Sequence, residues 1–359
     1  MNRDEFGSPS PEGEPGRSFF GALPPLSRDG ERCLLPGLLA ALASVFLVQS
    51  GFLGILFMVP LGFAGSFFGR KTAWTGALLA VLLNAFCTLG LSLLPGRNFD
   101  SFFAEIGFFF FMTLVFTWII APPPGGPDIL RVRTAYRLIL GALLGTAAGM
   151  VLIGDSARDF TRLQAELISS MAAASAGADA VRRSLLEQEL SPERLIALFN
   201  TVQFRGGFLG SMMVVLFINR WFSLAFAAFS RRRQGRPEAA DTSLISFHVP
   251  AGLIWVFSLS LGGILLFRIL GLWLPETLAW NCLTVCVLMY LAQGFGILRF
   301  FLSRQTAGRR LLLNIGIIMV IFSPGINMIA LGLLLLLGVA EHWAPLRAAR
   351  DRPPPTPAV

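Results

Sequence analysis

Long apolar runs separated by short polar stretches dominate the chain from Leu34 onward. A membrane-spanning helix needs about 20 apolar residues, and most of these runs are long enough. The pattern predicts an all-α, polytopic integral membrane helix bundle of about 8–10 transmembrane segments. The apolar segments are 34–50, 52–69, 73–94, 102–122, 135–153, 204–229, 250–273, 277–300 and 311–340.

The last apolar run, 311–340, is too long for one crossing. Ser323-Pro324-Gly325 interrupts it, so we predict two short helices there and ten segments in all. With both termini cytoplasmic, the inner regions hold 20 of the 29 basic residues, and the short outer loops hold only Arg97. This distribution follows the positive-inside rule and predicts a multi-pass protein of the bacterial cytoplasmic (inner) membrane.

The polar stretches divide the chain into five parts. Residues 1–33 and 346–359 are predicted to be disordered cytoplasmic tails, flanking an N-terminal transmembrane bundle at 34–153 and a C-terminal one at 204–345. In the outer loop, 154–203, apolar residues recur at helical spacing, and Ser191-Pro192 is a typical helix start. We expect an amphipathic helical hairpin on the outer membrane surface, with a lid over an outward-facing pocket as the alternative.

Composition narrows the classes of function. The chain is 54% hydrophobic and 14% charged, with a mean hydropathy of +0.68, which excludes a soluble enzyme. The net charge of +8 comes from basic residues in the predicted cytoplasmic loops. We therefore expect no nucleic-acid partner. His248 and His342 belong to no metal-spaced cluster, and the spans lack central carboxylates. We therefore predict no enzyme, no cofactor and no metal.

Polar side chains within the predicted spans are the candidates for a binding site. They are mostly amides, with one arginine that also has the length to reach the inner membrane surface. The functional hypothesis is that they line a polar cavity for a small substrate. The cavity residues are Asn84, Asn219, Arg220, Asn314 and Asn327.

Glycines spaced four residues apart predict close helix packing, because missing side chains let two backbones approach. We expect these faces to pack inside the bundle, with a homo-oligomer or a membrane partner as the alternative. The glycines are Gly65, Gly69, Gly141, Gly145, Gly149, Gly206 and Gly210. Helix breaks are predicted at Ser323, Pro324 and Gly325 and at Pro60, and such breaks are tolerated where the backbone is buried in protein or faces a cavity.

Several motifs resemble the YybS-like family of uncharacterised bacterial membrane proteins over roughly 34–348. The quoted stretches are Val59-Pro60-Leu61-Gly62 with Gly65 and Gly69-Arg70-Lys71; Phe247-His248-Val249-Pro250 with Trp255; Gly294-Phe295-Gly296; and Gly338-Val339-Ala340-Glu341-His342-Trp343 with Leu346-Arg347. His248-Val249 and Glu341 depart from the family pattern. The resemblance implies a remote relation to substrate-capture subunits of energy-coupling vitamin transporters and to the cell-shape protein MreD.

Two functions follow as hypotheses. The first is a small-molecule carrier or a substrate-capture component of a transporter, which the mid-span amides and interrupted segments favour. The alternative is a non-enzymatic scaffold for an envelope or signalling complex, which the glycine faces and the structured outer loop favour equally. In both cases the lipid bilayer is a partner.

Overall fold

The computed structural model describes residues 31–51, 53–92, 99–120, 127–152, 154–175, 189–235, 247–344 and 346–347. Within these ranges every regular element is a helix, in agreement with the predicted all-α bundle. Most of the two predicted tails, and residues 176–188 of the outer loop, lie outside the described residues.

The helices follow the predicted segments closely. The first half forms α1 (Glu31–Gln49), α2 (Val59–Phe68), α3 (Arg70–Ser92), α4 (Phe99–Ile120) and α5 (Pro127–Leu152). The outer loop forms α6 (Gly154–Ser175) and α7 (Pro192–Val202). The second half forms α8 (Phe208–Arg233), α9 (Leu253–Ile269), α10 (Trp273–Ser303), α11 (Ala307–Phe322) and α12 (Ile326–Ala340).

By length and composition, five helical stretches in the described part of the chain can cross a membrane. They are Arg70–Gly90, Phe103–Ile120, Ala135–Leu152, Pro192–Arg233 and Trp273–Ser303. Four shorter apolar helices join them: Leu34–Gln49, Gly54–Phe68, Leu253–Ile269 and Ile326–Ala340. The protein is therefore a multi-pass membrane protein.

The described part of the outer loop is helical, as its apolar spacing predicts. The Ser191 hydroxyl accepts a hydrogen bond from the Arg194 N–H at 3.4 Å, and Pro192 is the first helical residue of α7. A short kinked segment, Gln203–Gly207, joins α7 to α8, with non-helical backbone angles at Arg205 and Gly206. Because α6 and α7 pack together and keep Leu163, Leu167 and Met171 exposed, the hairpin presents an apolar face.

The N-terminal helices form a three-helix unit in which α2 returns between two parallel neighbours. Gly37 of α1 lies against Gly76 of α3, and Gln49 bonds to Asn84, so α1 and α3 run in the same direction. The return from Gln49 passes through an irregular segment with one 3₁₀ turn, Gly54–Leu56, before α2 begins. Pro60 lies in the first turn of α2, where proline fits, so it marks a helix start and the interruption precedes it.

The C-terminal helices give a different topology from the ten crossings that we predict from the sequence. Gly294 of α10 lies against Leu334 of α12, and Tyr290 lies against Gly338, so α10 and α12 are antiparallel. The end of α10 and the start of α12 consequently lie at the same end of this pair. Since α11 joins those two points, both of its ends lie at the same end of the α10–α12 pair, and we interpret α11 as a helix that does not cross the membrane. The chain is interrupted between Phe322 and Ile326, where Ser323-Pro324-Gly325 predicts a break.

Candidate functional site

Two irregular stretches of the chain meet the middle of α8 from opposite sides. α8 has 26 residues, a rise of roughly 38 Å, and Phe217 and Asn219 lie near its centre. Asn219 contacts the irregular segment before α2, and Phe217 contacts the irregular segment before α9. Since two residues turn an α-helix by about 200°, these contacts lie on opposite faces of α8.

The first interruption is stabilised by one amide. Nδ2 of Asn219 donates to the carbonyl oxygen of Ile55 at 2.7 Å, and Oδ1 accepts from the N–H of Met58 at 3.1 Å. The same Nδ2 also donates to Val215 in its own helix at 2.8 Å. Asn219 is 0% exposed, so these bonds supply the partners that water would otherwise give to a broken helix.

Replacing Asn219 by leucine should leave the Met58 N–H and the Ile55 carbonyl without their side-chain partner. An unsatisfied buried group costs about 1–3 kcal/mol, so we expect a loss of about 2–5 kcal/mol in the free energy of unfolding. The measurement is thermal or denaturant unfolding of the purified protein in detergent. Asn314→Leu is the matched control, because Asn314 lies exposed on α11 and should change stability little. Equal effects of the two variants would contradict this role of Asn219.

The irregular segment before α9 is held by another buried amide. The N–H of Val249, just before α9, donates to Oε1 of Gln293 at 2.6 Å. Nε2 of Gln293 in turn donates to the carbonyl oxygen of Gly338 at 3.0 Å, at the end of α12. One side chain of α10 therefore connects the start of α9 to the end of α12.

A buried ion pair closes the same region. Glu341 and Arg347 are each 8% exposed, and both Nε and Nη2 of Arg347 donate to the Glu341 carboxylate. Arg347 Nη2 also donates to the carbonyl oxygen of Phe247 at 3.0 Å. The Phe247 ring packs edge-on against Phe217, with ring centroids 6.2 Å apart. The ion pair thus holds the segment after α12 against the segment before α9, beside α8.

Two glycines set the spacing of α10 and α12 at this point. A methyl group on Gly294 would overlap the carbonyl oxygen of Leu334, and one on Gly338 would overlap the carbonyl oxygen of Tyr290. Only glycine fits a backbone approach this close. The approach brings the Gly338 carbonyl within reach of Gln293. We call Phe247, Val249, Gln293, Glu341 and Arg347, together with Gly294 and Gly338, the C-terminal clamp.

The junction between α7 and α8 packs on the first half of α10. Gly206 has φ +118°, in the left-handed region, and a side chain there would overlap Thr284. Asn281 donates to the carbonyl oxygen of Phe204 at 2.7 Å, and Arg205 pairs with the buried Glu276 at 3.0 Å. Moving along the chain, Phe204 meets Asn281 and Gly210 meets Leu288, so α8 and α10 run in the same direction.

The structure distributes the five predicted cavity residues over three parts of the fold. Asn84 accepts from Gln49 at 3.2 Å between α1 and α3, and Asn219 and half-buried Arg220 belong to α8. Asn314 is exposed on α11, and half-buried Asn327 lies in the first turn of α12. Asn84 and Asn219 already bond to other protein groups. A ligand-binding role for these residues stays a prediction.

Most of the predicted packing glycines lie against other helices of the same chain. A methyl group on Gly141 would lie 2.6 Å from Ile119, one on Gly65 2.9 Å from Ala73, and one on Gly145 3.0 Å from Met112. Three others also face side chains: Gly149 faces Phe108, and Gly206 and Gly210 face Thr284. Gly69 differs, because it has open space around it and φ +104°; it makes the turn between α2 and α3.

Residues of the C-terminal clamp are absent from the sequence-based candidates for a site. Gln293 is visible as a mid-span amide, but nothing in the spacing shows that its partners are Val249 and Gly338. Gly294, Gly338, Glu341 and Arg347 occur only within the motifs of the family resemblance. The burial of the Glu341–Arg347 pair is the feature that marks this site. Burial depends on tertiary contacts, so the sequence alone does not show it.

Comparison with known proteins gives one match. Residues 208–339 match the model of a family described as "Predicted membrane protein (DUF2232)". The match runs from the start of α8 almost to the end of α12 and includes Gln293, Gly294 and Gly338. No curated protein and no solved structure matches the chain. The match therefore agrees with a membrane protein and gives no activity, and the YybS-like name and its remote relations stay predictions.

Proposed function

We propose that this protein is a small-molecule carrier, or a substrate-capture component of a transporter, in the bacterial cytoplasmic membrane. The observation that carries the proposal is the pair of irregular chain segments, before α2 and before α9, that contact opposite faces of the middle of α8. Interrupted segments at the centre of a helix bundle mark substrate sites in many transporters. The relation to vitamin-transporter subunits that the YybS-like resemblance implies would fit the same function.

The proposed ligand contacts are Arg220 and Asn327. Arg220 is half-buried beside Asn219, on the flank of α8 between the faces of Asn219 and Phe217. Its guanidinium suits a carboxylate or phosphate group of a ligand. Asn327 follows directly after the break between α11 and α12 and offers an amide. Both positions are half-buried, as ligand contacts in an open site would be.

The test is a thermal-shift screen of the purified full-length chain in lipid nanodiscs against water-soluble vitamins and their precursors. We expect at least one anionic compound to raise the melting temperature of the unmodified protein. Arg220→Gln and Asn327→Leu should each remove that shift. Arg194→Gln, on the exposed outer hairpin, is the control and should retain it. Binding that survives in Arg220→Gln and Asn327→Leu would contradict the proposed contacts.

A non-transporting scaffold is the second candidate function. It is favoured because the amides of Asn219 and Gln293 bond to the chain's own backbone in the described structure. The discriminating measurement is co-purification from native membranes in mild detergent. Recovery of an ATPase pair or a coupling subunit supports the carrier. Recovery of envelope-synthesis or signalling proteins, unchanged by Asn327→Leu, supports the scaffold.

A further inference from the structure

α11 has an exposed surface that is both apolar and basic. Along its 16 residues the exposed side chains include leucines and a methionine, with Leu312 71% and Met319 67% exposed. Such side chains are stable only in hydrocarbon or against a partner. Because α11 begins and ends on the same side of the membrane, it reaches hydrocarbon only by lying along that surface. Its exposed apolar residues are Leu311, Leu312, Leu313, Ile315 and Met319.

The turn before α11 concentrates positive charge. From Thr277 to Ala340 the chain has no Asp or Glu, and its arginines cluster at 299, 304, 309 and 310. Nη2 of Arg310 donates to the carbonyl oxygens of Ser303 at 3.0 Å and Gln305 at 3.1 Å. The Arg304 guanidinium lies 4.2 Å from the centre of the Phe300 ring. These contacts hold Arg304 and Arg310 close to the junction between α10 and α11.

The same side carries the basic end of α8. Since α8 and α10 run in the same direction, their C-terminal ends lie on one side of the bundle, and α8 ends in Arg231, Arg232 and Arg233. By the positive-inside rule this side faces the cytoplasm. The inner leaflet of a bacterial membrane presents anionic headgroups, which complement a surface with this charge.

We infer that α11 is an in-plane surface helix that binds anionic phospholipid headgroups. Leu311, Leu312, Leu313, Ile315 and Met319 insert into the upper hydrocarbon layer, and the arginines at 304, 309 and 310 contact the phosphates. A helix in this position is anchored through both its apolar side and its charge. The inference depends on helix directions and charge and does not require the carrier function.

The first experiment measures how deeply each position of α11 lies in the bilayer. Single spin labels at the five exposed apolar positions of α11 are introduced into the full chain lacking its native cysteines, in nanodiscs of phosphatidylcholine with 30% phosphatidylglycerol. An in-plane helix should give depths within about 10 Å of the headgroups that follow the helical period. Labels on α5 at Leu140, Leu143, Leu144 and Val151 are the control and should change depth steadily with position. A steady change along α11 as well, or labels shielded from oxygen by a second copy of the chain, would overturn the inference.

The second experiment measures lipid binding. Phosphatidylglycerol retained by the purified protein is counted by native mass spectrometry, with phosphatidylcholine as competitor. Each arginine near an anionic surface contributes roughly fivefold in affinity, so Arg309→Gln should retain clearly less and Arg309→Gln with Arg310→Gln less again. Arg162→Gln with Arg194→Gln, on the exposed α6 and α7, removes the same charge as the double variant. Retention that falls equally in this control, or not at all in the α11 variants, would contradict headgroup binding.

Discussion

Replacing Gly338 by alanine is expected to separate α12 from α10. The added methyl group overlaps the Tyr290 carbonyl oxygen, and a backbone atom cannot rotate away as a flexible side chain can. The two helices must move apart, which also lengthens the bond between Gln293 and the Gly338 carbonyl. We expect a loss of about 3 kcal/mol or more in the free energy of unfolding, at or above the upper end of overpacking costs. Gly294→Ala should behave in the same way against Leu334.

Gly332→Ala is the matched control for this prediction. Gly332 lies in the same helix, but a methyl group there meets no atom within 4 Å. Alanine is the better helix former by up to about 1 kcal/mol, so this variant should keep or slightly raise stability. Unfolding in detergent measures stability. Disulfide cross-linking of cysteine pairs placed across α10 and α12 in the folded protein measures how far apart the two helices lie. Similar results for Gly332→Ala and Gly338→Ala would contradict the close helix approach.

Replacing Arg347 by leucine is expected to have the other large effect. The change leaves the Glu341 carboxylate buried without its cation and frees the Phe247 carbonyl. Breaking a buried pair from one side costs about 3–5 kcal/mol, because an uncompensated charge remains. We expect a large fall in melting temperature, and the start of α9 should become accessible to a cysteine-reactive probe at Val249→Cys.

A double-mutant cycle separates charge pairing from packing. Glu341→Leu with Arg347→Leu removes both charges and should be more stable than Arg347→Leu alone, since no isolated charge remains. Glu166→Gln, which breaks the exposed pair with Arg162, is the control and should change stability little. If the double variant is as unstable as the sum of the single variants, Glu341 and Arg347 do not act as a pair.

The apolar pattern by itself determined the helical architecture and where most of the helices lie along the chain. Runs of hydrophobic residues leave a helix as the only arrangement that satisfies the backbone in lipid, so length and hydropathy suffice to place the helices. The Ser191-Pro192 start of α7 and the interruption at Ser323-Pro324-Gly325 are equally local, because capping and proline geometry act within a few residues. The close helix packing at Gly141 and Gly145 is also predictable from the sequence, because glycine has no side chain.

Only the tertiary structure decided which polar groups meet and which helices cross. Asn219 bonds to Ile55 and Met58 about 160 residues away, and Arg347 bonds to Phe247 100 residues away, so no local pattern contains these partners. The orientation of α11 depends on the antiparallel contact of α10 and α12, which Gly294 and Gly338 permit. A sequence shows that a residue is polar or small. Which contacts that residue makes depends on where distant backbone atoms lie in the folded chain.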